Sequence, residues 1–146
     1  MKKILSVLFI CGVAGALMAA DSSWMTSLPD AKVKAEKEQK LVLLDFTGSD
    51  WCPYCQQLHA RVFSKSEFTD YAKKNLVLVK VDLLKHHPQT EEVKATNKAL
   101  KAKYQVTGYP TLVLVKPDGS VVWKQVGYDD EPPSAIIAKL DEAKVK

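Results

Sequence analysis

Cysteine and histidine are scarce in this chain, at three residues each among 146. No second cysteine pair accompanies Cys52 and Cys55, so a zinc site built on paired cysteines lacks half of its ligands, with only His59, His86 and His87 to supply the rest. No basic stripe is evident. Lys and Arg are scattered beside Glu and Asp, as on solvated helix faces, and nothing reads as a nucleic-acid footprint. Internal repeats and low-complexity tracts are missing too. The one long apolar run, Ile4 to Met18, is short of the roughly 20 residues a membrane span needs.

What is present suits one domain. The chain is 47% hydrophobic and 26% charged, enough to build a packed core and unlike a disordered chain. Its first twenty residues read differently from the rest. Lys2 and Lys3 precede the apolar run, and Ala19-Ala20 then meets Asp21-Ser22-Ser23, the layout of a secretory signal peptide. The expected division is a signal peptide over 1–20 and one domain over 21–146. Cutting after Ala20 leaves Met18 at the third position back, where a small residue is preferred. An uncleaved anchor is the other reading. Cys11 follows the bulky Ile10, which argues against a lipoprotein cysteine. Without the signal, net charge falls from +4 to +2 as Lys2 and Lys3 go, and charge then says little about partners. The expectation is export, to the periplasm in a Gram-negative cell and otherwise to the outside, with no stable membrane association after cleavage. Such compartments let the two remaining cysteines form a disulfide.

Leu28 to Lys40 is expected to be helical, with Pro29 in its first turn. Leu41 to Phe46 is a short apolar run of the buried, parallel-strand kind, interrupted by Asp45. Thr47-Gly48-Ser49-Asp50 is a turn cluster. Leu58, Val62 and Phe63 follow Cys52 at helical spacing, and Ser64 with Glu67 fits a capping box for another helix. Leu76 to Val81 is a second strand, 83–89 a loop, and Thr90 a cap for a helix running to about Tyr104. Thr111 to Val115 and Val121 to Val126 are strands joined by the turn Pro117-Asp118-Gly119-Ser120, hence an antiparallel hairpin. Ser134 to Lys144 is a closing helix. Strands alternating with helices give an α/β fold of parallel βαβ units ending in that hairpin.

A Cys-x-x-Cys pair beside a βαβ pattern points to redox chemistry. The strand ending near Phe46 delivers Cys52 to a helix start, where unsatisfied N–H groups and about half a positive charge favour a thiolate. Cys52 is therefore the expected nucleophile, lying near the solvent. Cys55, one turn deeper, is placed to attack a mixed disulfide at Cys52 and release the product. Two other readings stay open. A purely structural disulfide would close a tiny loop and remove little unfolded-state entropy. Half a zinc site would need histidines from elsewhere.

Trp51-Cys52-Pro53-Tyr54-Cys55 resembles the active site of the thioredoxin superfamily. Leu43-Leu44-Asp45-Phe46 before it, Gly108-Tyr109-Pro110-Thr111 after it and Val126-Gly127 near the end agree, over roughly Lys32 to the C-terminus. The run Phe46 to Cys52 is most similar to exported bacterial members, akin to periplasmic domains of thiol:disulfide interchange proteins. The resemblance implies a thioredoxin fold, a central mixed β-sheet flanked by α-helices. It implies no cofactor and no metal. Protein thiols and disulfides, with an upstream redox partner, are the implied partners. Catalysis would fall to Cys52 and Cys55, with Asp45 accepting a proton from Cys55 through water; the plainer reading of Asp45 is a strand-end carboxylate bonded to backbone. Pro110 would be cis and face the cysteines, with Tyr109 and Trp51 lining the substrate groove. Lys80 would lie near Asp45. His59 would tune a thiol, bind metal, or simply sit on the helix surface.

Two departures stand out. The turn from Asp45 to Cys52 is one residue longer than in ordinary thioredoxins. Pro53-Tyr54 resembles the glutaredoxin dipeptide, whose potentials of roughly −200 to −230 mV are more oxidising than the roughly −270 mV of thioredoxin. The separate dimerisation domain of dimeric isomerases is not seen. A thioredoxin-fold binding module with redox-sensitive, non-catalytic cysteines is the rival reading.

Overall fold

The structure, a computed structural model, describes residues 23–145. The expected signal peptide and the cleavage near Asp21 lie outside the described residues.

The elements follow the sequence patterns closely. A two-residue strand β1 (Trp24–Met25) leads to helix α1 (Leu28–Glu38), then β2 (Leu41–Thr47) and α2 (Pro53–Leu58). A π-helical turn (His59–Phe63) continues α2. Then come α3 (Ser66–Asn75), β3 (Leu76–Asp82), α4 (Glu91–Lys103), β4 (Thr111–Val115), β5 (Val121–Val126) and α5 (Pro133–Lys144). The caps supply physical reasons for several starts. The Ser27 hydroxyl accepts the Asp30 N–H at 3.4 Å, and the Thr90 hydroxyl accepts the Val93 N–H at 3.3 Å, each meeting an otherwise unpaired helix donor.

Three sequence expectations need correction, and one short strand was missed. The capping box does not form: α3 starts after Lys65 without a side-chain cap, and the Ser64 hydroxyl donates to the Ala60 carbonyl at 2.8 Å. The helix after Cys52 is not α-helical throughout, because the Ser64 N–H reaches five residues back to the His59 carbonyl at 2.9 Å. β1, too short to show a period, was not foreseen. The third correction is one of direction. The five-stranded sheet has the order β1-β3-β2-β4-β5, with β1, β3 and β2 parallel, but β4 antiparallel to β2 as well as to β5. The link through α4 therefore does not close a parallel unit. All five residues of β4 are buried, which gives the apolar run characteristic of a central strand in either direction.

Side-chain alternation divides the core between the two faces of the sheet. Leu43, Leu78, Leu112 and Leu114 pack with Leu58, Val62, Phe63, Phe68, Ile136 and Leu140, so α2, the π turn, α3 and α5 cover one face. Val42, Leu44, Phe46, Val79, Val81 and Val113 pack with Leu28, Ala31, Ala35 and Tyr104, so α1 and the end of α4 cover the other. Asp45 shares Leu43's parity, and Lys80 shares that of Leu78. The alternation therefore turns both toward the α2 face.

Candidate active site

The turn after β2 brings the cysteines to the end of the sheet. The N–H groups of Trp51 and Cys52 both donate to the Gly48 carbonyl, at 3.1 and 2.8 Å. Gly48 is required by close approach: a Cβ there would overlap the Trp51 indole. Cys52 has extended backbone, with φ −98° and ψ 106°, and caps α2, while Pro53 fills the first helical position, where no N–H is needed. The Cys52 sulfur accepts the Cys55 N–H at 3.2 Å. Cys52 and Cys55 are joined as a disulfide with their Cα atoms 5.3 Å apart.

Both cysteines are 4% exposed. In the disulfide form, exposure of the whole residue therefore does not distinguish them. What distinguishes them is position on the helix: Cys52 is the cap and Cys55 lies within the first turn.

Trp51 and Tyr109 come together beside the pair. Their rings meet edge to face, 5.3 Å apart at 80°. The Trp51 Nε1–H donates to the Leu83 carbonyl at 2.7 Å, which fixes the indole. The Tyr109–Pro110 bond is cis. Pro110 is buried at the mouth of β4, whose first residue, Thr111, is registered against Phe46 of β2. The Pro110 carbonyl accepts the Gly127 N–H at 2.7 Å, and Gly127 supplies the positive φ, 87°, needed at that bend. Trp51, Tyr109 and Pro110 thus cluster at the end of the sheet where β2 feeds the cysteines. Between the cysteines Pro53 and Tyr54 are both exposed, Tyr54 at 59%.

Asp45 and Cys55 line one cavity of about 240 Å³, together with Thr47, Ser49, Gln56, His59 and Lys80. Asp45 is registered beside Lys80 across β2 and β3. Its Oδ1 is buried with no hydrogen-bond partner. Burial raises its carboxyl to about 7, against the pull of Lys80 and with a further push from Asp82. This proton-binding group therefore titrates near neutrality. His59 is half-buried on the wall of the same cavity. Among the described residues, no group of three or more His, Cys, Asp or Glu is placed to hold a metal ion. A larger cavity, of about 820 Å³, lies between α1 and α4 and is lined by none of the cysteines.

Asp50 was missed in the sequence. Its carboxylate accepts N–H groups from Lys85, His86 and His87 at 3.1, 2.7 and 2.9 Å, and meets His87 Nδ1 at 3.2 Å. Burial alone would raise its carboxyl, but these donors outweigh that and hold it well below the usual carboxylate range. Ser49 donates its N–H and hydroxyl to Asp82 at 3.0 and 2.6 Å. The turn before Cys52 is thereby fastened to the 82–87 loop. The sequence offered only the adjacency of Asp50 to Trp51, since all of its partners are more than thirty residues away.

A family model described as a thioredoxin-like domain matches residues 28–144. The Disulfide bond reductase DsbH of Chlamydia pneumoniae is 33% identical over 127 residues, covering 87% of this chain and 75% of that protein. The Thioredoxin-related protein DsbJ of Chlamydia pneumoniae is 27% identical over 140 residues; the match covers 92% of this chain but 40% of that longer protein. The solved structure of a DsbH oxidoreductase superposes with a TM-score of 0.78 at 28% identity, covering 100% of this chain and 96% of that one.

Proposed function

The chain belongs to the thioredoxin-like domain family and is a thiol:disulfide oxidoreductase; we propose that it is exported and exchanges disulfides with protein substrates through Cys52-Pro53-Tyr54-Cys55. The observation that carries the reading is the Cys52–Cys55 disulfide at the cap of α2, with the Cys55 N–H aimed at the Cys52 sulfur.

In the reduced form, that N–H and the helix start favour a thiolate at Cys52. The thiolate attacks one sulfur of a substrate disulfide, and the other substrate sulfur leaves as a thiolate. Cys55 then loses its proton and attacks the Cys52 sulfur. The second substrate thiolate departs and the Cys52–Cys55 disulfide closes. The substrate gains two electrons and the pair loses two, to be restored by an upstream redox partner. Asp45 suits the role of proton acceptor for Cys55, with water in the shared cavity as the bridge. A carboxyl near 7 takes up and gives back a proton at little cost around neutral pH. Trp51, Tyr109 and Pro110 form the surface on which the substrate segment rests.

Export rests on the Lys2-Lys3 start, the apolar run and the small residues before Asp21. Among the described residues, no helix is long and apolar enough to cross a membrane. N-terminal sequencing of the exported form should give a start near Asp21; a retained Met1 in a membrane fraction would show an anchor instead.

Catalysed reduction of insulin by dithiothreitol tests the enzyme against the rival binding module. Turnover should be rapid in the wild type and absent in Cys52→Ser. A wild type no faster than dithiothreitol alone would leave the binding module standing.

A further inference from the structure

The redox face carries charge that the exchange reaction does not use. Lys85 Nζ lies 3.6 Å from the centroid of the Trp51 ring, and Lys101 Nζ lies 5.4 Å from that of Tyr109. Those rings touch each other and belong to the residues directly before Cys52 and Pro110. Among the described residues, neither ammonium has a carboxylate partner. Each is held over an aromatic face with its remaining donors open.

Asp82, three residues before Lys85, is taken by the Ser49 N–H and hydroxyl, and the carboxylate next to Trp51 in the sequence is committed elsewhere too. The Asp50 side chain is only 3% exposed and is committed to the N–H groups of Lys85, His86 and His87. That cradle fixes the backbone from which Lys85 reaches over Trp51. The acidic segment after Gly127 is largely spent as well. Asp130 is bound by Arg61 and Glu131 by Lys139, which leaves the exposed Asp129 as the opposing charge.

From this pattern we infer that the redox face selects disulfides flanked by acidic side chains. An Asp or Glu beside the reacting cysteine of the substrate meets Lys85 and Lys101 while its sulfur meets Cys52. The inference rests on the proposed exchange at Cys52 and adds the substrate class. The covalent steps are those already given: a thiolate displaces a thiolate twice, and two electrons pass from the dithiol to the substrate disulfide. Charge acts on encounter and docking. One exposed pair is worth a factor of roughly two to five, and salt weakens it.

The test uses the full chain, reduced with dithiothreitol and then freed of it, in single turnover. Three peptides carry the same internal disulfide, flanked by Glu, Gln or Lys. Rates should fall in that order, by about tenfold from first to last at low ionic strength, and converge in roughly 0.5 M salt. Lys85→Glu combined with Lys101→Glu should invert the order, which a packing defect would not do. Should that variant fail to fold, Lys101→Gln alone must lower the Glu-to-Lys rate ratio by about twofold or more. Equal rates, a preference for Lys, or a ratio unchanged by these substitutions overturns the inference, while turnover of the Gln peptide upholds the exchange reaction. No turnover of any peptide overturns both.

Discussion

Replacing Asp45 by Asn shows directly what its burial costs the folded state. Asp45 is 5% exposed, beside Lys80 and Leu112 in the sheet, with Oδ1 unpartnered. Burial moves its carboxyl from 3.8 to about 7, with Lys80 opposing and Asp82 assisting. Between those values the native protein holds a proton that the unfolded chain has released. Stability must therefore fall as pH rises through that window, because the native state binds the extra proton. The whole shift corresponds to about 4 kcal/mol, of which about 3 kcal/mol falls between about pH 4.5 and about pH 8.5. Asparagine has nearly the same shape and does not titrate. The stability of Asp45→Asn relative to wild type should thus rise by about 3 kcal/mol across that range. Urea unfolding of both proteins, with Cys52–Cys55 kept oxidised, measures the difference at each pH. A difference flat to within roughly 0.5 kcal/mol, or one that shrinks as pH rises, refutes the account of this carboxyl.

Two further substitutions probe the frame that holds the site. Gly48→Ala should displace the Trp51 indole, which is pinned by the Leu83 carbonyl and packed on Tyr109. A loss of about 1–3 kcal/mol in unfolding free energy, with slower insulin reduction, is expected, and a wild-type indole fluorescence spectrum would contradict it. Phe68→Ala removes a fully buried ring that packs on Phe63 at 4.9 Å. Chemical denaturation should show a cost of about 3–5 kcal/mol, and a cost under about 1 kcal/mol would mean that the α3 face is not the packed core described.

How legible all this was depends on the range of each interaction. β2 announced itself because Leu41 to Phe46 is apolar on both faces, and Thr90 announced α4 because a cap acts three residues away. The cysteine pair was equally local. The direction of β4 was not readable, because a strand buried on both sides has the same apolar pattern whichever way it runs. Ser64 and Glu67 had the spacing of a capping box, but the Ser64 hydroxyl found the Ala60 carbonyl first. Asp45 stood out as a charge in an apolar strand, but that it shares the face of Leu43 under α2 came only with the fold. Asp50 and Lys85 did not stand out. A carboxylate in a polar turn and a lysine in a polar loop look like solvated residues until the fold joins segments 35 residues apart.

The division of labour between Cys52 and Cys55 is the centre of the account, and covalent trapping tests it most directly. Cys55→Ser lacks the resolving thiol, so Cys52 should accumulate mixed disulfides with its protein substrates, identifiable by mass spectrometry at Cys52. Cys52→Ser should accumulate none. If Cys52→Ser traps partners as readily as Cys55→Ser, or the trapped sulfur in wild type is that of Cys55, the assigned roles are wrong.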